Sequence, residues 1–347
     1  MRGTVERLRP VLRNQVAGWL RPRERRWTAA VAAHLVTNAT PRWETGWRTT
    51  SVAVTSTSVT IATVARPGSP RRYVVKIPWT AAGVAGLRRQ AAVLETLGRE
   101  PRLSGLRAVL PHCVDQGEIE GRHYSVEEAL PGVSASALML RRDGRDALLR
   151  SATTVIGDLH ARTREPAVLD RSTVQGWVDV PLRRIEKCIL TRPHSTRFLD
   201  AVGRVREELV AVLVGRTVHV SWIHGDFWPG NVLAVSPSGR VTGVVDWDCA
   251  GPGQLPLHDL LHLHVLARRL AGGGELGEIV VRSLGRGIDQ TLAVASAEVV
   301  AWLDTIPPRA ALLLYWLRHV LLFIDSEGDH DKPRWLRGNV ERVLANV

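Results

Sequence analysis

The sequence predicts an α+β protein: a small antiparallel-sheet N-lobe followed by a larger, mainly helical C-lobe. Three observations carry this. Residues 49–128 alternate short β-branched runs with turn residues. After Pro131 the apolar residues recur mostly at helical spacing. Inside that helical region, the strand-like runs Val218 to Ile223 and Val241 to Val245 flank a segment rich in Asp, Asn, Gly and Pro. At 347 residues the chain can hold two lobes or one large domain with a sizeable core. The expected organisation is an Arg-rich helical extension over 1–40, an N-lobe over 41–130 and a C-lobe over 131–347.

In chain order, residues 1–38 read as a polar-faced helical extension. Thr49 to Val54 and Val59 to Ala65 are short strands joined by Thr55-Ser56-Thr57-Ser58, and Arg66-Pro67-Gly68-Ser69-Pro70 is a turn before the strand Arg72 to Ile77. A helix follows over about Ala81 to Leu97. Val109 to Gln116 and His123 to Glu128 read as two further strands around the turn at Glu118 to Arg122. In the C-lobe, Leu148 to Thr163, Arg197 to Val214 and Ala310 to Ile324 have helical periodicity, whereas Arg162 to Pro193 is less regular.

The most informative string is His224-Gly-Asp-Phe-Trp-Pro-Gly-Asn231, with Val-Val-Asp246-Trp-Asp248 twenty positions after Asp226. The first string sets a carboxylate and a carboxamide five residues apart in a loop after an apolar strand. The second ends another strand with a carboxylate, and a hairpin through Ser236-Pro237-Ser238-Gly239 returns the chain toward the loop. Oxygen-bearing side chains at a loop-rich edge suit magnesium, which takes one or two protein oxygens and completes its shell with phosphates and water.

These segments resemble the catalytic loop and metal-binding strand of the aminoglycoside phosphotransferase and choline kinase group, relatives of the protein kinases. The resemblance implies a bilobal protein-kinase-like fold with ATP and Mg2+ as cofactors. It implies Asp226 as the catalytic residue, Asn231 and Asp246 as metal ligands, and Lys76 as the cation on the α/β-phosphates. Lys76 is one of only three Lys among 46 Lys and Arg, the others being Lys187 and Lys332. A compact ammonium suits a tight phosphate site where an Arg fork does not.

The same resemblance assigns phosphate contacts to Ser56 and Ser58 in the loop between the first two strands. It also assigns an adenine-binding hinge to Val126, Glu127, Glu128 and Ala129. In the helix, the position that usually carries a Glu to pair with the Lys is here Gln90. Either Gln90 suffices through its carbonyl, or the phosphates alone hold the Lys, or catalysis is slow or absent. Asp259, in a stretch resembling the family's G-x-P-x-x-D-L, is implied to brace the catalytic loop. Asp248 reads as auxiliary, on the face of Asp246 if the strand continues.

Composition narrows the setting. The formal net charge is +12, with eight Arg in residues 1–26. These read as a solvated helical extension, with an acidic partner or membrane surface as the alternative. No zinc spacing, RNA-binding signature or helix-turn-helix accompanies the charge, so nucleic acid is not the expected partner. Three scattered Cys imply no disulfide framework, and no secretory signal or membrane-length apolar run is visible, so the expected location is cytoplasmic. The expected function is transfer of the ATP γ-phosphoryl group to a hydroxyl of a small molecule, such as an antibiotic, sugar or amino alcohol. The alternative is a catalytically weak or inactive nucleotide-binding or partner-binding module, which Gln90 favours. An acidic stretch at Asp325, Glu327, Asp329 and Asp331 reads as a solvated loop or as a contact for a cationic acceptor.

Overall fold

The computed structural model describes residues 22–40, 44–55, 59–140, 144–190, 196–286, 305–325 and 333–347. The described chain forms two compact units: the residues up to Pro131 together with Thr242–Cys249, and Gly132–Val241 together with Ala250–Val347. Ser56, Ser58, Glu327, Asp329, Asp331 and residues 1–21, which hold most of the N-terminal Arg, lie outside the described residues.

The first unit begins with helix α1 (Pro22–Ala39). Over these described residues the helix packs against the sheet. Thr28, Val31, Ala32, Leu35 and Val36 form a narrow buried stripe on it. That stripe shares a core with Trp47, Ala62, Val64, Tyr73, Val75, Ile77 and Val126. Trp47 precedes strand β1 (Arg48–Val54), and the others lie on β2 (Val59–Ala65), β3 (Arg72–Pro78) and β5 (Arg122–Glu128); with β4 (Cys113–Ile119) the sheet order is β1-β2-β3-β5-β4. Each neighbouring pair is antiparallel.

Between β3 and β4 runs helix α2 (Ala81–Arg99), capped by Thr80, whose Oγ1 accepts from the Gly83 N–H at 3.1 Å. A 3-10 segment, Pro101–Val109, follows and buries Leu103 and Leu106, so the next strand starts at Cys113 rather than Val109. The β3–β5 register opposes Val74 to Glu127 and Lys76 to Ser125. Because side chains alternate across a sheet, Lys76 and Glu127 are diagonal neighbours on one face. Val75, Ile77 and Val126 point to the other face, into the α1 core.

The second unit starts with β6 (Val133–Ser134), helices α3 (Ala135–Met139) and α4 (Arg145–Arg162), β7 (Glu165–Val168), and helices α5 (Arg171–Leu190) and α6 (Thr196–Leu213). Pro181 lies inside α5, where the sequence read irregularly. The buried row Val174, Val178, Leu182, Ile185 and Ile189 outweighs the backbone bond that the proline cannot donate. In α6 the residues Phe198, Ala201, Val202, Val205, Leu209 and Leu213 form the matching stripe, and both rows belong to one core.

Strand β8 (Thr217–Ile223) pairs with β7 on one side and with β11 (Gly251–Gln254) on the other. Strand β9 (Val232–Val235) pairs with β6. The turn after β9 is closed by the Gly239 N–H on the Val235 carbonyl at 2.9 Å. Strand β10 (Arg240–Val244) then carries the chain from the second unit into the first. Helices α7 (Leu257–Leu270), α8 (Leu276–Arg286) and α9 (Pro308–Asp325) and a C-terminal helical segment from Pro333 are the other described helices of the second unit. Among the described residues no helix is long and apolar enough to cross a membrane.

Candidate active site

In the second unit the site is built on the loop after β8. Val218, Val220 and Ile223 anchor that strand in the interior. Gly225 then turns the chain with φ +83°, a conformation glycine adopts without strain. The loop backbone is pinned from α7. Asp259 Oδ2 accepts from the His224 N–H at 2.7 Å, and Oδ1 from the Gly225 N–H at 2.8 Å. Its Oδ2 also lies 3.0 Å from His160 Nε2 of α4. Asp259, His160 and His224 are fully buried. Burial alone would raise the Asp259 pKa, but His160 and the His224 N–H favour the ionised form, and the net shift is downward.

Asp226 follows, with 37 % of its side chain accessible, enough to meet a ligand. Asn231, in the 3-10 turn Pro229–Asn231, donates Nδ2 to the Asp226 carbonyl and to Asp226 Oδ2, both at 2.9 Å. With its N–H groups spent on Asp226, Asn231 offers a cation its Oδ1. The second carboxylate oxygen, Oδ1 of Asp226, meets His262 Nε2 of α7 at 2.9 Å. His262 Nδ1 lies 3.2 Å from the Tyr315 hydroxyl of α9.

In the first unit a buried polar cluster surrounds Lys76. Its Nζ lies 3.2 Å from Glu127 Oε2, 3.3 Å from Gln90 Oε1 and 3.6 Å from Asp246 Oδ1. Gln90 Nε2 donates to Glu127 Oε1 at 2.7 Å. Lys76, Gln90 and Glu127 are each 4 % exposed. Burial disfavours the ammonium, but Glu127 and then Asp246 outweigh it, and the Lys76 pKa is raised.

Strand β10 ends at Val244, and Asp246 takes φ +62°, a left-handed conformation that Asp tolerates better than most residues. The chain then forms a 3-10 turn, Trp247–Cys249, so Asp248 does not continue the face of Asp246 as an extended strand would require. The Asp248 carbonyl instead accepts from Arg89 Nε of α2 at 3.3 Å. Gly86 of α2 admits this turn, because a Cβ there would sit 3.2 Å from Asp248 Oδ2.

Against this geometry, a profile of the phosphotransferase enzyme family matches residues 60–294. The chain belongs to the phosphotransferase enzyme family. Its fold is similar to that of aminoglycoside phosphotransferase APH(2'')-Ib with ADP bound, at 18% identity over 92% of this chain and 97% of that one, with a TM-score of 0.53. A GDP complex of a variant aminoglycoside 2'-phosphotransferase IIIa is similar at 14% identity over 92% and 98%, with a TM-score of 0.55. The streptomycin–ATP complex of APH(2'')-IIa is similar at 16% identity over 90% and 98%, with a TM-score of 0.51. No curated protein matches by sequence.

In this phosphotransferase the sequence-derived residues fall into two sets. Asp226 and Asn231 touch each other in the second unit; Lys76, Gln90, Glu127 and Asp246 meet in the first. At the expected hinge, two backbone donors have partners within the protein. The Glu128 N–H donates to the His112 carbonyl and the Ala129 N–H to the Arg72 carbonyl, both at 2.9 Å, and Val126 lies in a strand paired on both sides. Those donors are already spent within the sheet, because β5 is an interior strand. Glu127 acts through its side chain, on Lys76. Sequence reading missed this role of Glu127, and it missed His262 and Tyr315 altogether. The available signals were the alternation Val74/Lys76 against Ser125/Glu127, and the spacing of three between Asp259 and His262 on one helix face.

Proposed function

We propose that this phosphotransferase moves the γ-phosphoryl group of ATP to a hydroxyl of a small molecule, with magnesium as the metal. The observation that carries the reading is the partly exposed Asp226 carboxylate, clamped by Asn231 in a loop pinned through Asp259. Phosphoryl transfer passes through a loose transition state, so positioning and charge neutralisation do most of the work. Asp226 orients the acceptor hydroxyl and takes its proton as the oxygen–phosphorus bond forms. Lys76, buried and held charged, supplies a fixed cation for phosphate oxygens.

Asp246 offers a carboxylate and Asn231 an amide oxygen. Each is a hard oxygen donor of the kind magnesium takes, with phosphates and water as its other ligands. A magnesium ion would neutralise charge on the phosphates. Solved structures of the same fold hold ADP, ATP or GDP, which supports a nucleotide as donor.

The Lys76 cluster favours turnover over an inactive module. Gln90 does not leave the Lys without a carboxylate, because Glu127 provides one at 3.2 Å. A Glu at position 90 would set two carboxylates side by side, whereas Gln donates to one and accepts from the ammonium. We assign the acceptor only as a hydroxyl compound. The test is a screen of antibiotics, sugars and amino alcohols for Mg-ATP-dependent phosphorylation, read as ADP release. Asp226→Ala should lower turnover by about 10²–10⁴-fold while nucleotide affinity holds. Wild-type turnover in that variant would sink the assignment.

A further inference from the structure

Behind Asp226 lies a set of polar side chains that the proposed chemistry does not use. His262 bridges the Asp226 carboxylate and the Tyr315 hydroxyl, at 2.9 and 3.2 Å. His319 packs its ring against both, with centroids 4.8 Å from His262 and 5.9 Å from Tyr315. All three side chains are buried. Tyr315 and His319 stand four residues apart on α9 and so share a face, while His262 comes from α7.

Chemistry sets the direction of this chain of contacts. An ionised carboxylate only accepts hydrogen bonds, so His262 Nε2 carries a proton. In the neutral ring Nδ1 is then a lone pair, and the Tyr315 hydroxyl donates to it. Burial holds that hydroxyl well above its ordinary pKa, so it stays protonated and able to donate. Asp226 thus receives His262 on Oδ1 and Asn231 on Oδ2. A carboxylate with a fixed donor on each oxygen has little freedom to rotate about its last bond.

We propose that His262 is a positioning residue for Asp226, and that Tyr315 holds the imidazole from its other nitrogen, in the orientation in which His262 does this. The inference rests on the reading of Asp226 as the group that meets the acceptor hydroxyl. In a loose transition state the acceptor proton leaves late. The aim of the carboxylate therefore matters more than its basicity, and small misplacements of an orienting group lower the rate steeply. His262 donates to the carboxylate and touches no reacting atom. Its loss is expected in turnover rather than in nucleotide binding, because the Lys76 cluster is built from other residues.

The test uses the full chain with Mg-ATP and water as the phosphoryl acceptor, read as ADP release, so it needs no identified acceptor. His262→Leu should lower kcat at least tenfold with the nucleotide KM within twofold of wild type. His262→Gln, whose amide N–H reaches toward the position of Nε2, should recover most of the rate. His262→Asn, whose amide sits nearer the Nδ1 position, should not. Tyr315→Phe should give a smaller loss. Nitrogen NMR of the imidazoles should report the Nε2–H tautomer for His262 in wild type. Urea unfolding of each variant guards against misfolding, and the Gln/Asn contrast holds even if the Leu variant is unstable. Equal rates for the Gln and Asn variants, or wild-type kcat in His262→Leu, would overturn the inference. If Asp226→Asn also keeps wild-type turnover, the phosphotransferase reading of Asp226 fails; if only the His262 variants are unaffected, the positioning role alone fails.

Discussion

Asp259 has two oxygens and three donors aimed at them: two backbone N–H groups of the loop and the His160 ring. Nothing else in this set could satisfy those backbone groups once the carboxylate is altered, because the residue is fully buried. Asp259→Asn keeps the shape but turns an N–H toward another donor, leaving buried groups unpaired. We expect a loss of about 2–4 kcal/mol of stability together with reduced turnover, because His224 and Gly225, which lead into Asp226, lose their anchor. Urea unfolding and initial rates check this, and an unchanged midpoint would refute it. At this scale the sequence was legible where residue type was rare or spacing regular. Lys76 stood out among the Arg, and Asp226, Asn231 and Asp246 by their interval. His262 did not, because its contact with Asp226 spans 36 residues and depends on how α7 lies against the loop. Glu127 looked like one more strand residue until the register placed it beside Lys76.

At the scale of elements, the register of β3 against β5 decides where the Lys76 counter-charge comes from. The carboxylate is carried by a strand inside the sheet, and α2 contributes an amide that bridges the two. Glu127→Gln should therefore strand a buried ammonium, leaving Asp246 at 3.6 Å as its nearest carboxylate. Breaking a buried pair costs about 3–5 kcal/mol, and the nucleotide KM should rise with it. The exchange Gln90→Glu with Glu127→Gln returns a carboxylate within reach of Nζ and should restore much of both. A double-mutant cycle in unfolding free energy measures the coupling; purely additive effects would argue against it. Most elements were readable because each carries a clean period: the β-branched strands of the first sheet, the α6 stripe, the apolar α9. The departures have physical causes. Pro181 reads as a breaker, yet the apolar row of α5 packs through it. The left-handed Asp246 ends its strand early, where the run of valines suggested continuation. The stripe on α1 is narrow and set among Arg, so its role in the sheet core was hidden.

For the folded chain as a whole, acid is the expected weakness, and the sign follows from two buried histidines. Burial, with Arg318 next, pushes His258 down to about 3. Burial, with Arg268 next, pushes His264 down to about 4. In the unfolded chain both rings titrate near 6.5. Between those values the unfolded state binds two protons that the folded state refuses. Stability is therefore fully present above pH 6.5 and is lost as pH falls toward 4, at about 1.4 kcal/mol per pH unit for each ring. Asp259, whose folded pKa is depressed, adds to the loss only below its ordinary value of 3.8. The net charge of +12 grows with each proton taken up, and self-repulsion works in the same direction. Two pH units of this slope, about 5 kcal/mol, are comparable with the whole stability of many domains. Urea midpoints measured from pH 7.5 to 4.5 should hold steady above pH 6.5 and then fall steeply. His264→Leu removes one of the two proton uptakes and should cut the slope between pH 6 and 5 by roughly half. A midpoint that stays flat down to pH 4.5 would mean that the folded chain takes up protons as readily as the unfolded one, and that neither histidine is held neutral by its surroundings.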